Sequence, residues 1–493
     1  MELREIKNLN QRIYQLDTEI GRSSKTIFIA TLIFAIKLNA DFRDISKLSE
    51  MINFNDNNIR PIDQLISIAK DGIDTLVDLR DITKQAIYDS LRIISGVNTK
   101  LDKDRVAFKQ FLTNFISNDW NKINIEDLFL ETLYMEIDKK SGTGDDGIVL
   151  TPIFAAQLMV DLANINYKTD IVADLCSGTG LFSLLSYSKM LSDMENDYSN
   201  NLITDEEYRE YQKKLYNSII ANDADSKMVT LCLANFLLKS LNHSLIFCGD
   251  TLKLERSDLK YKEDGTEISI KPTKAILNPP YEDAYKPLEI LEKNISLISG
   301  NPQHGTRVVV IVPPQKFGQK KEVFSRILNS ATLECVIKMQ DDLFIDSGRS
   351  QPASIFVFNV DKPHSKNDQI RYFNFTDTGY IYLKDSGLVD KNNTYNQKKL
   401  ELLNKIENPQ DNYSTFVRAW NNFYEVNREL EITTQLDPDK VKTNKEEADI
   451  TLENITIKRM INEKISLLQS AENNFKDNNN ELENYIVDIL SED

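Results

Sequence analysis

Between about Ile148 and Val360 the sequence sets short apolar runs among helical stretches: DIVADL (170–175), YNSIIAND (216–223), HSLIFCGD (243–250), KAILNPP (274–280), RVVVIVPP (307–314), TLECVIKM (332–339) and ASIFVFNV (353–360). This alternation constrains the fold more than any other feature. Parallel strands can be joined only by a crossover that carries the chain back over the sheet, so strands separated by helices read as βαβ units. The expected class is α/β, with a mainly parallel, doubly wound sheet. In such sheets a ligand sits at the carboxyl ends of the strands, and the candidate motifs below all fall there.

The flanks read differently. In the first 140 residues, apolar positions recur at helical spacing: Ile27, Phe28, Thr31, Leu32, Ala35 and Leu38, then Ile62, Leu65, Ile66 and Ala69, then Leu76, Leu79, Ile82 and Ala86. Three regions are expected: a helical domain over 1–140, the α/β domain over 147–385 and a helical region over 386–493. The glycine- and charge-rich KKSGTGDDG (139–147) is a flexible join between the first two. After about Asp385 the strands are expected to stop. Ile457, Ile461, Ile465, Leu468 and Phe475, then Leu482, Tyr485, Ile486 and Ile489, form helical stripes that pack on their own domain or dock on another subunit. The polar stretch 188–215 is expected to be an exposed helical insertion.

Composition narrows the partners. With 41% hydrophobic and 27% charged residues over 493 positions, the chain reads as globular protein. Its longest apolar stretch, Ile27 to Ile36, is about half the roughly 20 residues that a membrane span needs. With no leader pattern, a cytoplasmic location is expected. The four cysteines are scattered and only three histidines are present, so no metal site is expected. A formal charge of -17 opposes binding to a polyanion, because non-specific nucleic-acid affinity comes largely from Lys and Arg. Any DNA partner therefore requires a local basic patch or a second protein.

DLCSGTG, Asp174 to Gly180, ends a strand and precedes the helical run LFSLLSYSKML. Gly178 and Gly180 allow a sharp turn, and the helix that follows opens on free N–H groups. A nucleotide site and a plain tight turn explain this equally well. There is no P-loop lysine, and Asp174 would repel phosphate but suits an ammonium or sulfonium. The next strand ends at Asp223 and the one after at Asp250, carboxylates suited to ribose hydroxyls and an adenine amine. Each alone reads as a cap or turn residue. Three at successive strand ends read as a site.

The fourth strand runs into Asn278-Pro279-Pro280-Tyr281. Prolines fix φ and remove N–H donors, so this corner is rigid and rich in acceptors. The Asn278 amide oxygen and the Pro279 carbonyl could together accept both hydrogens of one planar amino group, whereas a plain proline turn after a strand would call for neither the Asn nor the Tyr. That draws its lone pair out of conjugation, and Tyr281 offers a stacking face.

In this order DLCSGTG, NDAD, GDT and NPPY resemble the motifs of amino-group DNA methyltransferases that use S-adenosylmethionine. GIVLTPIFAAQLMVDL (147–162), ahead of the glycine turn, is similar to the segment whose Thr-Pro pair, here Thr151 and Pro152, lies against the methionine end of the cofactor in the gamma arrangement. RVVVIVPPQKFG and LECVIKMQDDLFIDSGRSQPASIFVFN resemble the modification subunit of type I restriction-modification enzymes, and TIFIATLIFAIKLN is similar to its amino-terminal bundle. The resemblance implies a Rossmann-like methyltransferase domain. In it Asp174, Cys176, Gly178, Thr179 and Gly180 surround the methionine part of the cofactor, Asp223 the ribose and Asp250 the adenine amine. Asn278 to Tyr281 meet the target base, with Phe344 as a second aromatic against it.

It also implies methylation of adenine N6 in double-stranded DNA, a specificity subunit bound to two copies of this chain, and a restriction subunit as a further partner. Aspartate at 223 replaces the family's commoner glutamate. Methylation at cytosine N4, of a protein glutamine or of RNA are the alternatives, together with a non-catalytic scaffold. Glutamine and RNA enzymes generally lack both the early Thr-Pro segment and the long helical ends. Methylation at cytosine carbon 5 would need a thiolate, and no cysteine here follows a proline.

Overall fold

The computed structural model describes residues 3–16, 22–39, 48–56, 58–95, 105–123, 128–139, 150–263, 266–298, 305–347, 352–365, 368–383, 387–407 and 432–435. Residues 1–438 form one compact unit and 439–493 a second. Of the join expected over 139–147, Lys139 ends a helix and 140–147 lie outside the described residues, as do the stripes from Ile457 to Ile489.

The amino-terminal region is helical, with its principal helices at Leu3–Leu16, Arg22–Leu38, Pro61–Asp74, Asp81–Ser95, Arg105–Asn114 and Phe129–Lys139. Ile27 to Ala35 are buried on every side, so Arg22–Leu38 is the axis of this bundle. It touches Pro61–Asp74, Asp81–Ser95 and Phe129–Lys139, and also Ser226–Lys239 of the sheet layer. Bundle and sheet therefore share a core. One helical stripe was expected in the wrong phase: Leu76 and Leu79 are buried in the turn before Asp81–Ser95, while Ile82 is exposed. The inward face of that helix is Thr83, Ile87, Ser90, Leu91 and Ile94.

The strands are β1 (Val172–Asp174), β2 (Ile219–Asp223), β3 (Ile246–Cys248), β4 (Lys260–Glu263), β5 (Thr266–Ser269), β6 (Lys274–Leu277), β7 (Arg307–Val312), β8 (Thr332–Met339), β9 (Ser354–Asn359), β10 (Gln369–Phe375), β11 (Tyr380–Leu383), β12 (Gly387–Asp390) and β13 (Ile432–Gln435). The main sheet runs β13-β10-β8-β9-β7-β6-β1-β2-β3, with β4–β5 and β11–β12 as separate hairpins. Its pairs are parallel except where β9 lies antiparallel between β7 and β8 and β13 runs antiparallel along β10. Helices cover both faces, so β6 is buried throughout and β7 nearly so. All seven expected strands are present. The expectation that strands end near Asp385 is corrected by β12 and β13.

The expected insertion at 188–215 consists of two helices, Leu181–Ser199 and Asp205–Tyr216. The second opens on a capping box in which Thr204 and Glu207 satisfy each other's backbone N–H groups. Within 188–215 only Met190, Met194, Ile203 and Leu215 are buried.

The chain order β1, β2, β3 runs one way from β1, and β6 then pairs on its other side. That reversal is the topological switch point, where doubly wound sheets open a crevice. Val172 pairs with Lys274 and Ala173 with Ala275, so the turn after Asp174 and the corner after Leu277 emerge side by side.

Candidate functional site

Above the switch point lies a cavity of about 610 Å³, a size typical of cofactor sites. Leu150 and Thr151, Leu175 to Thr179, Asp223 to Asp225, Asp250 to Leu252 and Asn278 to Pro280 all face it. Five segments that are remote in sequence thus meet in one place.

The glycine turn is shaped by backbone torsion and by hydrogen bonds from the neighbouring strands. Gly178 has φ +52° and Gly180 has φ +90°, the left-handed region that costs other residues roughly 1–2 kcal/mol. A Cβ on Gly180 would lie 3.1 Å from Cys232 Sγ. Gly180→Ala should therefore lower stability by about 1–2 kcal/mol and weaken ligand binding, read by thermal unfolding with and without ligand. The Gly178 N–H donates to Asp223 Oδ2 at 2.8 Å, and Ser177 N–H donates to the Asn222 carbonyl at 2.9 Å. Asn222 is buried; its amide donates to the Gly249 carbonyl and to Thr251 Oγ1, both at 3.0 Å, and Thr251 in turn donates to the Leu175 carbonyl. This chain of bonds ties the ends of β1, β2 and β3 into one rim.

The three strand-end aspartates occupy different settings. Asp174 is wholly buried and is not among the cavity's lining residues; Ser183 Oγ approaches its Oδ2 at 3.4 Å. Burial first, then the nearby Asp223 charge, raise its pKa well above the carboxylate range. Asp223 lines the cavity, and its other oxygen accepts the Asp225 N–H at 2.9 Å. Burial pushes its pKa up to about 6. A carboxylate has about four acceptor positions, so it can still receive ligand hydroxyls. Asp250 is exposed at the far wall, where it caps the turn at Leu252. Cys176 lines the cavity, and burial raises its thiol pKa well above its usual value, so it is no thiolate nucleophile.

At the other wall, Asn278 Nδ2 donates to Thr151 Oγ1 at 2.9 Å, which joins the corner after β6 to the segment leading into helix Ile153–Leu162. Pro152 caps that helix and is not a lining residue. The helix is clamped from outside: Tyr380 of β11 stacks on Phe154 at 3.9 Å between ring centroids, and Tyr395 donates its hydroxyl proton to the Phe154 carbonyl. Tyr281 and Phe344 are both buried and contact each other edge to face, centroids 5.7 Å apart at 80°. Each ring thus satisfies the other, and neither is a cavity-lining residue.

Sequence reasoning missed Glu131, which also lines the cavity. It comes from helix Phe129–Lys139 of the bundle and accepts the Thr179 hydroxyl on Oε2. Burial raises its pKa to about 7. It stands on the polar-poor run LFLETLYMEI with no spacing signal to mark it.

Residues 131–303 match the N-6 DNA methylase family. A type II restriction enzyme and methyltransferase of Heyndrickxia coagulans, RM.BcgI, is 28% identical over 329 residues, 64% of this chain and 48% of that protein. The chain therefore spans about half the length of this curated relative. Among solved structures, a modification subunit of a putative type I restriction enzyme from Vibrio vulnificus YJ016 superposes with TM-score 0.55 at 16% identity, covering 84% of this chain and 90% of that one. A type I restriction-modification methyltransferase subunit from Streptococcus thermophilus gives TM-score 0.54 at 10% identity, covering 84% and 95%. At these identities the likeness is one of fold.

Proposed function

We propose that the protein, whose residues 131–303 match the N-6 DNA methylase family, transfers a methyl group from S-adenosylmethionine to the N6 amine of adenine in double-stranded DNA. The observation that carries this reading is the convergence of the glycine turn after β1 and the Asn278-Pro279-Pro280 corner after β6 on one cavity. When bound, S-adenosylmethionine supplies a methyl group already activated by its sulfonium.

The cavity fits that cofactor chemically. Asp223 suits ribose hydroxyls, Asp250 suits an exocyclic amine, and Leu175, Met228, Leu252 and Ile290 give apolar walls. Asn278 Oδ1 and the Pro279 carbonyl accept the two hydrogens of the target amine. Its lone pair is thereby turned toward the cavity, and the surplus proton passes to water after attack. Positioning of this kind supplies up to roughly 7–11 kcal/mol, so no strong general base is needed. The base must leave the duplex, at a cost of a few kcal/mol. Tyr281 and Phe344 receive it once their mutual contact opens.

The test is incubation with methyl-labelled S-adenosylmethionine and duplex DNA, then chromatography of the nucleosides. Label is expected in N6-methyldeoxyadenosine; label in N4-methyldeoxycytidine instead, or label taken up only when RNA or protein replaces the DNA, would overturn the reading.

The charge of -17 supports a division of labour, with a specificity subunit selecting the site and two copies of this chain flanking it. The chain alone should bind duplex DNA at or above the micromolar range typical of non-specific binding. Fluorescence anisotropy would measure this, and tight sequence-selective binding by the isolated chain would refute it. Among the described residues no helix is long and apolar enough to cross a membrane.

A further inference from the structure

Resting on the cofactor assigned above, we propose that Glu131 is the counter-charge for the α-ammonium of the methionine moiety. Sequence reasoning gives that part of the ligand to the surroundings of Asp174, but Asp174 does not line the cavity. Each of the other cavity-facing carboxylates already accepts at least one backbone N–H. Asp223 takes one backbone N–H on each oxygen, Asp225 caps helix Ser226–Lys239 through the Lys227 N–H, and Asp250 caps its own turn. Glu131 differs. Its Oε2 accepts the Thr179 hydroxyl, while its Oε1 is buried with no hydrogen-bond partner among the described residues.

A buried acceptor left unmatched beside a cavity is costly unless a ligand donor completes it. Thr179 is itself anchored from the far side, where Asn235 Nδ2 donates to its carbonyl at 2.8 Å. The Glu131–Thr179 contact therefore stands at a fixed place on the glycine turn. Burial raises the Glu131 pKa, and an ammonium beside it would hold the carboxylate ionised.

The experiment is calorimetry on the full chain with three probes: S-adenosylhomocysteine, its analogue lacking the α-amino group, and methylthioadenosine, which lacks the whole amino-acid part. Glu131→Gln should weaken S-adenosylhomocysteine about 10- to 100-fold, the loss expected for a charge-assisted bond, and leave methylthioadenosine within about twofold. Equal losses for both probes, or none, would overturn the assignment.

The wild-type protein supplies an independent check if the variant folds poorly. It should bind the deaminated analogue at least tenfold more weakly than S-adenosylhomocysteine, and equal affinity would contradict the proposal. If wild-type protein binds none of the three probes, it is the cofactor reading that fails.

Discussion

Asn278→Ala should reduce the turnover number for methyl transfer by about 10²–10³-fold, the loss typical of removing one preorganised polar contact to a reacting group, while S-adenosylhomocysteine still binds within a few-fold of wild type. The amide is held by its donation to Thr151 Oγ1 at 2.9 Å, which fixes its plane and directs Oδ1 away from Thr151. Alanine removes both the acceptor and the tie, but leaves the glycine turn, Asp223 and Asp250 untouched. Thr151→Val removes the tie but keeps the acceptor, and at saturating cofactor it should cost about tenfold, because the acceptor is less well aimed. Stopped-time assays at saturating cofactor, paired with calorimetry, separate the two effects. Full activity in Asn278→Ala would remove the corner from the mechanism.

Asp170→Ala should lower stability by about 3–5 kcal/mol, the usual result of breaking a buried ion pair from one side. Lys274 and Asp170 are both fully buried, with Nζ 3.8 Å from the carboxylate. Lys274 Nζ also donates to the Gly305 carbonyl at 2.9 Å, and Asp170 accepts the Thr273 hydroxyl and the Asn166 N–H, both at 2.8 Å. This cluster pins the starts of β1 and β6, whose far ends carry the glycine turn and the proline corner. Removing the carboxylate leaves an ammonium in the core, where burial already lowers the Lys274 pKa. Replacing both, Asp170→Leu with Lys274→Met, should recover most of the loss, since apolar residues of similar volume substitute well for buried pairs. Urea unfolding of the three variants tests this; a cost below about 1 kcal/mol for Asp170→Ala, no more than an exposed pair contributes, would contradict it.

The central strands were legible because burial on both faces forces continuous apolar runs such as VVVIV in β7. The direction of β9 was not, since a fully buried strand carries the same pattern whether it runs parallel or antiparallel. The hairpins β4–β5 and β11–β12 escaped notice because they are largely solvent-facing, so no buried alternation marks them. Within the site, the sequence supplied the residues that a turn or a proline makes conspicuous. It concealed Glu131, Asn222 and Thr251, whose roles depend on tertiary approach: one helix of the bundle reaching the glycine turn, and one amide bridging two strand ends. It also gave no sign that Tyr281 and Phe344 would bury each other, because ring pairing depends on a loop conformation and not on spacing.

The central claim is that one cavity at the β1–β6 reversal aims an activated methyl at an adenine amine. Methylation-aware sequencing of DNA from cells expressing this chain with its neighbouring genes, beside cells carrying Asn278→Ala, tests it most directly. The account predicts N6-methyladenine at one defined sequence in the first and none in the second. Methylated cytosine in its place, or the same adenine marks in both, would contradict it.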